Sequence, residues 1–258
     1  MGMAEQHQNF YETDRALSEY LLFHYGEPKQ VMAPTFVTPA ALNFPARCVF
    51  ECLDPARVPP RASALDLGCA VGRATFELAR HCADVLGIDY SERFITIARH
   101  LRKNGSFLFG CIDEGDLTQP CQAVVPMEID RNRVRFERGD AMNLPPDLGR
   151  FDVVLMANLI DRLSDPRRCL ERLPKLLNPG GQLIITSPYT WMSEYTPKKN
   201  WLGGFEHGGK RHRSLDALKE ALSPDFEFRQ SKDLPFLLRE HARKFQLVVA
   251  EASIWLRK

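Results

Sequence analysis

Between Ser63 and Ser187 short apolar runs alternate with longer stretches of helical periodicity, and nothing else in the sequence restricts the possible folds so severely. Residues 64–69 (ALDLGC), 84–89 (DVLGID), 134–138, 151–157 (FDVVLMA) and 182–187 (QLIITS) read as strands. Residues 73–82, 91–103 and 165–177 read as the helices between them, with Ser91 as an N-cap and Asn178-Pro179-Gly180-Gly181 as a stop. Strands that are apolar throughout and separated by helices pack in parallel, with helices on both faces. The expectation is an α/β, Rossmann-like, doubly wound domain. Residues 226–234 and 245–256 read as a closing hairpin, which brings the mostly parallel sheet to seven strands.

The flanks differ in character. Residues 13–25 place Leu17, Tyr20, Leu21 and His24 three and four apart, the pattern of an amphipathic helix that Gly26 and Pro28 end. Pro34, Pro39 and Pro45 interrupt the next segment, residues 46–53 read as a second short helix, and Pro59-Pro60 marks a connection. The division is therefore an N-terminal helical cap over residues 1–60, contributing to the substrate pocket, and the main domain over residues 61–258. Within the latter, residues 105–133 fit no core element and read as an insertion. Residues 189–213, with Gly203-Gly204 and Gly208-Gly209, read as a lid loop, followed by a helix over 214–222.

Composition excludes several functions. In 258 residues, 34 Lys+Arg balance 33 Asp+Glu, which argues against nucleic acid as a partner. No apolar run approaches the ~18 residues of a membrane span, so no membrane role is expected. The seven cysteines (Cys48, Cys52, Cys69, Cys82, Cys111, Cys121, Cys169) are odd in number and scattered, which reads as reduced thiols in a cytoplasmic protein. Cys48 and Cys52 lie four apart, but no nearby His/Cys pair completes a zinc site, and no metal is expected.

The chemistry is written at the strand ends. Asp66-Leu67-Gly68-Cys69-Ala70-Val71-Gly72 closes the first strand and opens a helix, which places a ligand over the carboxyl edge of the sheet. Gly68 and Gly72 are four apart, unlike the G-x-G-x-x-G of dinucleotide sites, and no triphosphate-binding loop occurs. Asp89, 21 positions after Gly68 and followed by Tyr90, is spaced to accept hydrogen bonds from a ribose diol. Gly139-Asp140-Ala141 follows the third strand and Asn158-Leu159-Ile160-Asp161 the fourth. Together these resemble the class I methyltransferases that use S-adenosyl-L-methionine. The resemblance implies that Asp66, Gly68, Cys69 and Gly72 shape the methionine end of the cofactor site, Asp89 and Tyr90 the ribose, Asp140 and Ala141 the adenine, and that Asn158 faces the transferred methyl. Ala70 departs from the pattern, standing where many members carry a second glycine. The absence of N-P-P-Y or D-P-P-Y counts against a DNA base amine or a glutamine as acceptor.

Four further stretches are Tyr11-x-x-Asp14 leading into Tyr20-Leu21-Leu22-Phe23-His24-Tyr25-Gly26, Asn200-Trp201-Leu202-Gly203-Gly204, Pro235-Phe236-Leu237-Leu238-Arg239-Glu240, and Arg243-Lys244-Phe245-Gln246. They resemble the methyltransferase of ovothiol biosynthesis. That resemblance implies N-methylation of the imidazole of 5-thiohistidine, at the π nitrogen, to form ovothiol A, with a separate sulfoxide synthase in the same pathway. A proton acceptor is then required, with Asp161 first and Asp14 and His207 as alternatives. Arg239 is the candidate clamp for the substrate carboxylate, and Tyr11, Tyr189 and Trp201 are candidates to stack on the ring. Tyr20 and Phe23 read as core packing. The competing readings are another small amino-acid or imidazole acceptor, and a non-catalytic cofactor-binding partner subunit.

Overall fold

A computed structural model describes residues 10–31 and 39–258. Pro34 and the first residues of the expected cap lie outside the described residues. The helices are α1 (Asp14–Tyr25), α2 (Pro28–Val31), α3 (Phe44–Phe50), α4 (Arg73–Leu78), α5 (Glu92–Asn104), α6 (Pro166–Leu176) and α7 (Ser214–Leu222). The strands are β1 (Ser63–Leu67), β2 (Asp84–Asp89), β3 (Ser106–Glu114), β4 (Leu117–Val124), β5 (Val134–Arg138), β6 (Phe151–Ala157), β7 (Leu177–Ser187), β8 (Phe205–His207), β9 (Lys210–His212), β10 (Phe226–His241) and β11 (Lys244–Arg257).

Seven strands form one sheet in the order β10-β11-β7-β6-β1-β2-β5. The five strands from β5 to β7 are parallel, and the closing hairpin adds β11 and β10 antiparallel. This is the Rossmann-like architecture that the alternating sequence requires. Successive side chains of a strand leave opposite faces: on β6, Val153 and Leu155 enter one core while Val154 and Met156 enter the other. Trp255, fully buried on β11, anchors the second core. The apolar run of β6 is thus accounted for by a sheet covered on both sides.

Helix starts follow local chemistry. Thr13 accepts the Ala16 N–H, Ser91 the Phe94 N–H and Asp165 the Arg168 N–H, each satisfying one orphan donor of the first turn. The helix expected over 73–82 is shorter, ending at Leu78. The final hairpin is longer than its apolar runs, because polar residues such as Arg239 and Gln246 continue the ladder.

The structure corrects one expectation and adds detail to another. Residues 105–133 give no strand to the seven-stranded sheet: β3 and β4 form an antiparallel hairpin of their own, packed beside α1 and β10, and Ala123, Val125 and Ile129 are buried in the first core. That hairpin also overturns the all-reduced reading of the cysteines, since it brings Cys111 and Cys121 together as a disulfide with Cα atoms 6.0 Å apart. The other five cysteines are free and buried. Among the described residues no helix is long and apolar enough to cross a membrane.

Candidate active site

The strand register assembles the site. Leu67 on β1 pairs with Ile88 on β2, so both chains leave the sheet side by side, and the N–H groups of Gly68 and Cys69 both donate to the Ile88 carbonyl (2.8 and 3.1 Å). Gly139 N–H donates to Asp89 O, and Asn158 N–H to Thr186 O, each 2.9 Å. Sequence motifs that lie far apart along the chain therefore meet on one carboxyl rim, around a cavity of about 330 Å³.

Asp66, Gly68, Cys69, Ala70, Asp89, Tyr90, Asp140, Ala141 and Asn158 all line this cavity. Asp66 is almost fully buried and accepts Thr75 Oγ1 at 2.6 Å; burial pushes its carboxyl up to about 7, with the Thr75 bond opposing and Asp89 adding to the rise. Asp89 accepts Ala70 N–H at Oδ2 (2.8 Å) and Ser91 N–H at Oδ1 (2.9 Å). Burial pushes it up to about 6, against the pull of those backbone bonds. Each oxygen keeps a lone pair for a hydroxyl of a ligand. Asp140 Oδ1 accepts the Met142 N–H (2.9 Å), and the Asn158 carboxamide oxygen accepts Thr186 Oγ1 (3.0 Å).

Three of the five described non-glycine residues with positive φ follow strands at this edge of the sheet. Ala70, Asn158 and Tyr189 are held at φ of +46°, +53° and +51°, while Asn43 and Arg61 lie elsewhere. Such conformations cost about 1–3 kcal/mol each and persist where the surroundings over-determine them. Ala70 therefore takes the left-handed geometry of the glycine that the motif normally supplies. Gly72 does not reach the cavity: its φ is +88°, and a Cβ there would meet the Phe136 ring, so its part is to turn the chain and admit a packed aromatic.

The outer half of the cavity is aromatic. Tyr11 meets Tyr20 edge-on (5.9 Å between centroids), Tyr20 lies 4.8 Å from Phe94, and Phe44 lies 4.7 Å from Phe236. Phe23, His24, Arg162, Glu194, Tyr195 and Leu238 complete it. Tyr20 and Phe23 are thus wall residues as well as packing residues, which α1 periodicity alone does not distinguish, because the stripe facing the core also faces the cavity. Tyr195 and Arg162 carry no motif signal; Arg162 is signalled only by adjacency to Asp161. Burial raises the Tyr20 phenol to about 12 and holds the Tyr11 phenol well above its ordinary value, so both keep their protons as hydrogen-bond donors at neutral pH.

His24 is buried, and its Nδ1 accepts the Arg73 N–H at 3.4 Å, which leaves the ring proton on Nε2. Burial, with the Arg73 charge, lowers its pKa from 6.5 to about 3. An unfolded His24 binds a proton below about 6.5 while the folded one resists until about 3, so this contribution to stability is complete above that window and is lost as pH falls through it. Urea unfolding at about pH 7 and about pH 4.5 is expected to show His24→Gln gaining on the wild type as the solution is acidified. An unchanged difference would show that His24 titrates normally.

Several expected site residues stand elsewhere. Asp161 is fully buried behind the wall, with Oδ2 accepting Thr190 N–H (2.9 Å) and Arg162 Nη1 (3.0 Å), because the short 3₁₀ turn after β6 aims it inward. Asp14 lies on the exposed start of α1, paired with Arg93. His207 is exposed on the β8–β9 hairpin. Trp201 donates Nε1 to Thr196 O (2.8 Å) and stacks on Trp191; Tyr189 packs on the second core. Arg239 donates to the carbonyls of Gln30 and Ile112 and ties the closing hairpin to the cap and to β3. None of these six lines the cavity, whereas Tyr11 does. The expected lid is pinned by Thr196 Oγ1 to Leu163 O (2.7 Å) and Asn200 Nδ2 to Ser164 O (2.8 Å), and it presents Glu194 and Tyr195.

Residues 65–185 match the family described as the methyltransferase domain. That segment, a little under half of the chain, is similar to the methyltransferases that use S-adenosylmethionine. The chain is 26% identical over 123 residues to the ubiquinone biosynthesis O-methyltransferase of Coxiella burnetii, covering 48% of this chain and 42% of that protein. It is 25% identical over 126 residues to the demethylmenaquinone methyltransferase of Staphylococcus saprophyticus, covering 48% and 43%. The match thus spans less than half the length of these curated relatives. In fold it is similar to a methyltransferase of Methanosarcina mazei (TM-score 0.50, 18% identity, 80% of this chain and 98% of that one). A structure from work on conversion of a disulfide bond into a thioacetal group during echinomycin biosynthesis is also similar (TM-score 0.50, 20% identity, 79% and 78%). The cofactor of this domain is S-adenosylmethionine, and the donor set fits it: a buried carboxylate at Asp66 that a cation would return to its ionised form, and an acceptor at Asp89 for a diol.

Proposed function

We propose that this chain is an N-methyltransferase whose acceptor is the imidazole of 5-thiohistidine, methylated at the π nitrogen to give ovothiol A. One observation carries the reading: a single cavity joins the cofactor rim to an aromatic wall built by Tyr11, Tyr20, Phe23, His24, Phe236 and Leu238. All six belong to two of the stretches that resemble the ovothiol methyltransferase. Residues 65–185, which match the methyltransferase domain family, contain none of them, so the match to that family does not speak for the acceptor.

S-adenosylmethionine supplies an electrophilic methyl group when bound. The protein's task is to hold a nitrogen lone pair in line with it and to exclude water. Tyr11, Tyr20 and Phe94 offer faces and edges to a small planar ring. His24, neutral and with its proton on Nε2, is a donor on the same wall. Glu12 and Glu194 are the carboxylates of the outer half, and Glu12 already accepts the Arg93 N–H (3.2 Å). Glu194 replaces Asp161 as our candidate acceptor of the ring proton. Incubation with labelled S-adenosylmethionine and 5-thio-L-histidine is expected to put label on the ring nitrogen. No incorporation, together with turnover on another acceptor, would remove the assignment and leave the cofactor site standing.

A further inference from the structure

We propose that Arg162 is the anion-binding residue of the acceptor site, and that the acceptor carries a carboxylate which this guanidinium receives. The inference rests on reading the outer half of the cavity as the acceptor site. Glu12, Asp66, Asp89, Asp140 and Glu194 make the lining strongly acidic, and Arg162 is the one Lys or Arg among the described residues that line it. Of the charged side chains that an acceptor anion meets in this space, only Arg162 attracts it.

The side chain is held ready. Nη1 donates to Asp161 O, Asp161 Oδ2 and Thr190 O, each at 3.0 Å. The guanidinium lies over the Tyr195 ring, 5.0 Å from its centroid. A guanidinium has five N–H donors, and no bond from Nε or Nη2 is found among the described residues, although the side chain is 28% exposed and borders the cavity. The planar fork is therefore fixed on one side and open on the other, the arrangement that receives a carboxylate through two parallel bonds. Asp161 thereby acquires a role: it positions Arg162 from behind the wall, which is why a buried acid follows the fourth strand without touching the cavity. Arg239, whose donors reach backbone carbonyls of the cap and β3, leaves this task to Arg162.

The test uses the full chain loaded with S-adenosylhomocysteine and two probes that share an imidazole but differ in the carboxylate, L-histidine and histamine. Calorimetry is expected to show L-histidine binding the wild type roughly 10- to 100-fold tighter than histamine. An acidic wall alone would favour histamine, which carries only positive charge. Arg162→Met is expected to abolish the preference while leaving affinity for S-adenosylhomocysteine unchanged. Arg162→Lys, which keeps the charge without the fork, is expected to retain part of it, and it carries the test if the methionine variant does not fold. A wild type with no preference or no binding of either probe, a preference that survives in Arg162→Met, or a parallel loss of S-adenosylhomocysteine affinity would each overturn the proposal. Because the preference is read without turnover, failure to methylate thiohistidine with the preference intact would retire the substrate assignment alone.

Discussion

Gly72→Ala is expected to lower the unfolding free energy by about 2–4 kcal/mol, the sum of a left-handed backbone penalty and overpacking. The residue sits at φ +88°, and a Cβ would lie 2.5 Å from Cζ and 2.7 Å from Cε1 of Phe136. That ring cannot retreat cheaply: it is 4% exposed and packs edge-on against Phe76 at 5.4 Å. Gly72 also accepts the Phe76 N–H at 3.0 Å, so any shift propagates into the first turn of α4. Urea titration should show the midpoint falling with an unchanged slope. Adding Phe136→Leu should recover the overpacking part and leave the backbone part. A loss under about 0.5 kcal/mol, the scale of an ordinary surface substitution, would mean that the turn adapts and that the glycine matters only for ligand approach.

Asp89→Ala is expected to weaken S-adenosylhomocysteine binding by roughly 10- to 100-fold, the scale of hydrogen bonds to a charged acceptor. Two losses combine. The ribose hydroxyls would lose their partner, and the N–H groups of Ala70 and Ser91, now held at 2.8 and 2.9 Å, would lose the carboxylate that fixes the loop and the start of α5. The pH dependence has a defined sign. The ionised carboxylate accepts the hydroxyls, so affinity should fall as pH drops through about 6, where the half-buried Asp89 takes up a proton. Asp66 titrates near 7 in the same cavity, so the Asp89 component is the difference between wild-type and Asp89→Ala profiles. An Asp89→Ala dissociation constant close to that of the wild type at neutral pH would assign the ribose to another side chain.

Residue order alone specifies the sheet, the end of it that carries the site, and the cofactor half of the cavity. The reason is locality. Apolar periodicity specifies strand and helix within a few residues, and a motif at the end of a strand inherits its place from the strand: Asp89 and Asp140 needed only the parallel register to become neighbours. The acceptor half depends on long-range packing. Tyr20 and Phe23 on α1, Tyr195 beyond β7 and Phe236 on β10 come together only when the cap, the pinned loop and the closing hairpin pack over one rim. Direction is equally invisible in a string of residues. Adjacent positions on a tight turn point to opposite sides, so Asp161 went inward and Arg162 into the cavity. The hairpin of residues 106–124 escaped for the same cause: Gly110 and Pro120 interrupt its largely exposed strands, and what makes Cys111, Cys121 and Ala123 buried is the cap and closing hairpin lying against them.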